Sequence, residues 1–251
     1  MKVGKTLFVL AHPDDEVLFW PLISRVPANE LAVAYVTDGS AGGRFAPDVR
    51  ANETRRMLAA FGVNSACVEF IGMKAGLVDG VLHERISQAW SALSLWVSSL
   101  GNVSTVYTHA WEGGHQDHDV CHVLALALGQ KVGAARVSQV ACYRRPDRGP
   151  VPYSLMDPIK ANGPAVAVRM RGAEKLAMAS CLVRYPSQWR SWVGLGPPLL
   201  IKIAFDPVLP VQPVSRERLS QRPHLGRLLY EARGGPMFED TNAAVQAFLA
   251  R

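Results

Sequence analysis

The chain has 251 residues, 49% of them hydrophobic, with 21 Gly, 17 Pro and a formal net charge of +6. That length suits one sizeable α/β domain with a buried core, and the composition indicates a globular, loop-rich protein. No run of about 18 apolar residues is present, which excludes a membrane-spanning helix.

Buried-strand and amphipathic-helix patterns alternate through the first half. Residues 7–11 form a continuous apolar run, as expected of a parallel strand covered on both faces. Residues 31–37 form the next, ending at the turn signal Asp38-Gly39-Ser40. Residues 48–61 carry helical spacing, with Asp48 placed to cap the start and Gly62 just past the end. A short strand is expected at 68–71, an amphipathic helix at 84–100, a strand at 105–108 and a helix at 117–128 closed by Gly129. Residues 137–143 read as another strand. This alternation predicts a doubly wound, mostly parallel, Rossmann-like sheet with helices on both faces. Beyond residue 145 the pattern weakens. Residues 144–164 read as a long loop, 171–182 as a helix, 193–211 as an apolar stretch broken by Gly and Pro, and 242–249 as a short helix. The expected organisation is a single domain over 1–251, with a motif-bearing core at about 5–145 and a loop-rich substrate wall or lid at about 146–251.

The basic excess gathers at residues 144–148 and 216–233. No nucleic-acid motif accompanies it, so a charged substrate or a solvated surface is expected rather than RNA or DNA. Cys67, Cys121, Cys142 and Cys181 are widely spaced without a CxxC pair, which predicts buried thiols in a reducing compartment, the cytoplasm. Lys2 and Lys5 precede an apolar run too short for a signal peptide.

Three polar clusters sit at predicted strand ends: Asp38–Arg44 after the second strand, and two richer ones. Ala11-His12-Pro13-Asp14-Asp15-Glu16 follows the first strand and gathers one imidazole and three carboxylates. His109-Ala-Trp-Glu112-Gly-Gly-His115-Gln-Asp117-His118-Asp119-Val-Cys-His122 follows the fourth and holds four of the chain's seven histidines. Alone, the first fits a turn leading into a helix, and the second a solvated loop. In an open α/β sheet both lie at the carboxyl edge, where sites form. If His118 joins His12 and Asp15, two imidazoles and one carboxylate leave a metal position open, the composition of a catalytic zinc site. Fe²⁺ or Co²⁺ could occupy the same donors. His122 is an alternative to His118.

The two motifs together resemble the PIG-L/LmbE family of metal-dependent N-deacetylases over roughly residues 5–125. Thr37-Asp38-Gly39-Ser40, Arg50-x-x-Glu53 and Leu58-x-x-Phe-Gly62 add to the likeness, and Tyr185-Pro-Ser-Gln188 is a fainter echo. The resemblance implies His12, Asp15 and His118 as zinc ligands, and Asp14 as the base acting on water at the metal. It also implies His115 as the group that stabilises the oxyanion or protonates the departing amine. Arg50 matches a position linked to substrate contact, and equally suits a solvated first-turn arginine. Asp117 either orients His115 or a ligand, or caps the helix. Glu16 either supports the site or favours the helix N-terminus.

The sequence departs from the family in two places. Val17-Leu-Phe-Trp-Pro21 replaces a small Gly-containing turn, and Ile71-Gly-Met-Lys-Ala75 stands where an acidic residue is usual, with Asp79-Gly80 later. Both segments are candidate substrate walls, as are Trp111, Tyr185 and Trp189.

The implied activity is removal of the N-acetyl group from an N-acetylglucosamine-type conjugate, a small molecule or glycolipid met with peripheral membrane contact at most. An amidase acting on a larger acyl group is the alternative. A non-catalytic metal- or sugar-binding protein ranks lower, since Asp14 and His115 are both present. A nucleotide-binding domain ranks lower still, since no Gly-rich phosphate loop follows the first strand.

Overall fold

The computed structural model describes residues 4–40, 46–146 and 153–251. The chain opens with β1 (Lys5–Leu10), α1 (Glu16–Ile23), β2 (Leu31–Tyr35), α2 (Pro47–Ala60), β3 (Val68–Phe70) and α3 (Ile71–Ala75). It continues through α4 (Ile86–Ser98), β4 (Val103–His109), α5 (Gln116–Val132) and β5 (Arg136–Val140). Next come a short hairpin of β6 (Tyr143–Arg144) and β7 (Ser154–Leu155), then β8 (Val166–Arg169), α6 (Gly172–Arg184) and α7 (Trp189–Phe205). The last elements are β9 (Val208–Pro213), α8 (Leu229–Ala232) and α9 (Phe238–Leu249).

The main sheet has the order β3-β2-β1-β4-β5-β9-β8. Its first five strands are parallel, and β9 and β8 add antiparallel at one edge. The expected α/β class is therefore observed. β1 shows why its sequence is apolar without alternation: Leu7 and Val9 enter one core, Phe8 and Leu10 the other, all fully buried. A strand buried on both faces has no solvent side to mark with polar residues. Strand order reverses between β1 and β4, so the crevice at their carboxyl ends collects the loops after both.

Several expectations need correction. The stretch read as broken at 193–211 is a continuous helix followed by a strand that pairs with β5 on one side and β8 on the other. Pro197 and Pro198 lie inside α7, flanked by enough apolar packing to hold the helix. β8 and β9 escape the periodicity because β8 is largely exposed and β9, although paired on both sides, carries Pro210 and Pro213. Val17–Pro21 belongs to the wholly buried helix α1, with Pro21 inside it. Asp48 does not cap α2; Ala46 holds that position and Pro47 opens the helix. Gly129 does not close α5, which runs to Val132 and ends at the left-handed Gly133. Gly129 is instead a packing glycine, since a Cβ there would meet Val137 Cγ2 at 2.3 Å.

The region read as a loop at 144–164 holds the β6/β7 hairpin, and Arg144 is buried against Asp157 rather than solvated. Residues 41–44 of the Asp38–Arg44 cluster, and Arg148 of the basic segment, lie outside the described residues. Among the described residues no helix is long and apolar enough to cross a membrane.

Candidate active site

The loop after β1 turns sharply. The His12 backbone N–H donates to Asp15 Oδ2 at 2.7 Å, and Asp14 is held at φ +114°, a conformation L residues rarely adopt. Such a position persists only where its surroundings over-determine it. Here Glu16 does so. Its Oε2 accepts from the Asp14 N–H (3.0 Å) and the Tyr35 hydroxyl (2.8 Å), and its Oε1 accepts from the Tyr185 hydroxyl. Glu16 is fully buried, and burial, with Asp14 nearby, pushes its pKa up to about 8. It braces the turn from behind, so its role is support for the site.

The second cluster is placed by the start of α5. His115 is the N-cap, its Nδ1 accepting from the Asp117 N–H at 3.2 Å. Asp117 therefore does not cap the helix. Its carboxylate accepts from the backbone N–H of Gly80 (2.6 Å) and Leu82 (3.1 Å), and its Oδ2 lies 3.1 Å from His12 Nε2. Asp119 accepts from the N–H groups of Glu112 and Gly113, holding the glycine turn. Glu112 Oε1 in turn accepts from the N–H groups of Cys142 and Tyr143, which ties that turn to the end of β5.

Gly114 makes the approach possible, because a Cβ there would sit 1.9 Å from the Tyr143 carbonyl oxygen. Gly114→Ala must push two backbone segments apart beside His115. A loss of about 3 kcal/mol, seen as a lower urea midpoint, is expected.

These segments bring together His12, Asp14, Asp15, His115, His118, Arg50 and Asp117. Asp15 Oδ1 lies 3.2 Å from His118 Nε2, and its Oδ2 lies 3.4 Å from His12 Nδ1. One donor atom from each of His12, Asp15 and His118 falls within 4.8 Å of the others. Burial alone would raise the Asp15 pKa, but the imidazoles of His118, His109 and His12 reverse that and hold it well below the usual carboxylate range. Burial lowers His118 to about 4, leaving the neutral ring that a metal requires. His118 is wholly buried, and neither ring nitrogen makes a well-formed hydrogen bond among the described residues, Nε2 facing Asp15 Oδ1. Buried polar atoms without partners are uncommon and ask for a ligand. This donor set of two imidazoles and a carboxylate fits a catalytic zinc site.

Arg50 is not a solvated arginine. It is 4% exposed and its guanidinium reaches four partners: Pro13 O (3.1 Å), Gly39 O (3.0 Å), Asp79 Oδ2 (2.9 Å) and Asp14 Oδ1 (2.8 Å). Burial raises Asp14 to about 6, the charge of Arg50 opposing part of that rise. His115 is lowered to about 4 by burial and by His12. Its Nδ1 accepts, so the neutral ring carries its proton on Nε2.

Asp79, visible in the sequence only as an acidic residue placed later than usual, takes its role from the fold. In the fold its Oδ1 lies 3.1 Å from His12 Nε2, and Asp38 accepts from its backbone N–H. The acidic residue missing at Ile71–Ala75 is thus delivered by a later loop. His109 also contributes from behind. The Ala11 N–H donates to its Nε2 at 3.0 Å, so its proton sits on Nδ1 facing Cys142 Sγ, and the ring stacks on His118 at 3.8 Å. His122 does not join the cluster: its Nδ1 lies 2.9 Å from the His109 carbonyl oxygen, to which it donates. Trp111 and Tyr185 are fully buried core residues, not substrate walls, and Trp189 faces outward.

The cluster floors a cavity of about 520 Å³. Its base is polar (His12, Asp14, Asp15, Arg50, Asp79, His115) and one wall is apolar (Leu18, Tyr143, Leu155, Trp192, Leu195, Leu199). Of Val17–Pro21 only Leu18 reaches it.

The fold is similar to that of several solved deacetylases. The A40926 pseudoaglycone deacetylase superposes with a TM-score of 0.62 at 15% identity, covering 85% of this chain and 98% of that one. A zinc-inhibited form of teicoplanin deacetylase gives 0.59 at 14% identity, covering 85% and 100%. A conserved protein from Thermus thermophilus gives 0.57 at 18% identity, covering 84% and 94%. By architecture, the chain is an α/β protein with the deacetylase fold. Comparison with curated proteins by sequence gives no match. Residues 7–128 match the family model described as PIG-L: GlcNAc-PI de-N-acetylase, and this part of the chain is a PIG-L family domain.

Proposed function

We propose that the protein is a metal-dependent hydrolase that removes the N-acetyl group from an N-acetylglucosamine-type conjugate. The observation carrying this reading is the convergence of His12, Asp15 and His118 beneath a cavity that Asp14 and His115 also line. Zinc held by those three residues would polarise the acyl carbonyl and acidify a water molecule. Asp14 takes the proton of the attacking water and returns it to the amine nitrogen as the C–N bond breaks. Arg50 orients the Asp14 carboxylate and is itself held by Asp79. His115 donates its Nε2–H to the carbonyl oxygen as negative charge builds there, acting as a neutral ring rather than an imidazolium. Asp117 fixes His115 through its backbone and His12 through its carboxylate. The C-terminal part supplies substrate wall through α7 and Arg233, within one domain. The free cysteines support a reducing, cytoplasmic setting.

An amidase acting on a longer acyl group gains support from the apolar wall of Leu18, Leu155, Trp192, Leu195 and Leu199. A volume near 520 Å³ is ample for an amino sugar with an apolar substituent. Acetate release from N-acetylglucosaminyl substrates, compared with release of longer acids, tests both. Chelation should abolish release, and graded Zn²⁺, Fe²⁺ or Co²⁺ should restore it. Activity that survives metal removal and His118→Ala would overturn the mechanism.

A further inference from the structure

Helix α7 is apolar on sides that nothing in the fold requires. Its inner sides meet the core through Gly196, Leu199 and Ile203, and the cavity through Trp192 and Leu195. Its outer side carries Trp189 (59% exposed), Val193 (69%), Ile201 (60%) and Phe205 (85%) at steps of four and eight residues. With 3.6 residues per turn these positions fan over about 160°, the half of the helix turned away from the core. Leu176 and Val183, seven residues apart on the adjoining α6, are exposed as well. Scattered single apolar residues are normal at a surface, but a row of this size marks an interaction face.

The charge around the row points to what it meets. Between residues 166 and 206 stand six basic side chains (Arg169, Arg171, Lys175, Arg184, Arg190, Lys202) and two acidic ones (Glu174, Asp206). Glu174 is buried in an ion pair with Arg25, and Asp206 pairs with Lys202. Arg190 is exposed on the outward side near Trp189. We propose that the outward face of α7, with the adjoining basic residues, is a docking surface for an anionic lipid bilayer, on which the helix lies flat.

The 17-residue helix carries two prolines, and no described helix is suited to spanning. An apolar side with a Trp at one end and an exposed Arg190 beside it, in a stretch of net positive charge, is the composition of an interfacial helix. A second copy of the chain is the poorer occupant, because a two-fold contact would place the same basic surplus against itself. The same helix lines the cavity on its inner side, through Trp192, Leu195 and Leu199.

Vesicle co-sedimentation of the full chain tests the proposal without reference to catalysis. Vesicles of phosphatidylcholine with phosphatidylglycerol should bind the protein about tenfold more strongly than pure phosphatidylcholine, and about 0.5 M salt should weaken that binding. Val193→Glu with Phe205→Glu should remove at least about nine-tenths of the binding. Both positions are exposed, so unchanged far-UV circular dichroism is expected of the variant. Arg190→Glu should lower binding while leaving the apolar row intact. No preference for anionic vesicles, or binding untouched by these changes, would overturn the proposal. So would a wild-type dimer in sedimentation velocity that the double variant converts to monomer without vesicle binding, which would assign the face to a second copy.

Discussion

Asp14→Asn is expected to lower kcat by roughly two to four orders of magnitude, the usual contribution of a positioned general base. The substitution keeps shape and removes only the ability to take a proton. Asn is also among the side chains best suited to positive φ, so the +114° backbone at this position should be retained. Arg50 loses one charged partner and keeps Pro13, Gly39 and Asp79. Since burial already raises Asp14 to about 6, the native carboxylate is held against a desolvation cost, and its neutralisation should not unfold the protein. Metal content should be unchanged, because the donor group is His12, Asp15 and His118. Steady-state kinetics with metal analysis checks this. Wild-type kcat, or a loss of activity matched by a loss of metal, would remove Asp14 from the role of base.

Glu16→Ala should be the most damaging change to stability near the site. It strands the Asp14 N–H and the Tyr35 hydroxyl in a region where Glu16 is fully buried, and leaves the Tyr185 hydroxyl only Thr54 Oγ1. An unsatisfied buried donor costs about 1–3 kcal/mol, so a combined loss of about 3–5 kcal/mol is expected. For a chain of this size that corresponds to a fall in Tm on the order of 10 °C. Glu16→Gln should be far milder. With a pKa pushed up to about 8 the side chain is largely neutral at pH 7, and an amide reproduces that state. Its oxygen can accept from Asp14 and Tyr35, while its NH₂ donates to the Tyr185 oxygen and the Tyr185 hydroxyl turns to Thr54 Oγ1, 3.2 Å away. Calorimetry of the pair separates the two cases. Equal destabilisation by Gln and Ala would mean that Glu16 acts as a charged group.

Much of the architecture is legible because the parallel strands obey a simple rule. Strands covered by helices on both faces must be apolar throughout, and the helices between them must be amphipathic. Runs such as Leu7–Leu10 and Leu31–Tyr35 therefore announce themselves. The antiparallel edge does not, since β8 is largely exposed and β9 contains two prolines. Helix α7 reads as broken because its glycines and prolines oppose local helix propensity, which tertiary packing overrides.

The same division holds in the cleft. Local sequence alone assembles His12, Asp14 and Asp15, which share one tight turn, and His115 with His118, which share the start of one helix. It cannot weigh Arg50, whose burial depends on Pro13, Gly39, Asp14 and Asp79 arriving from three other segments. Nor can it assign Asp79 its role, since that carboxylate joins His12 only after β1 and the loop following α3 meet across the crevice.

By itself, then, the sequence determined the succession of strands and helices along the first half of the chain and the donor types, because periodicity and short-range spacing are local properties. Which polar side chains are buried, paired and facing the cavity was decided only by the tertiary structure. Desolvation and charge pairing depend on neighbours distant in the chain, and no local pattern encodes them.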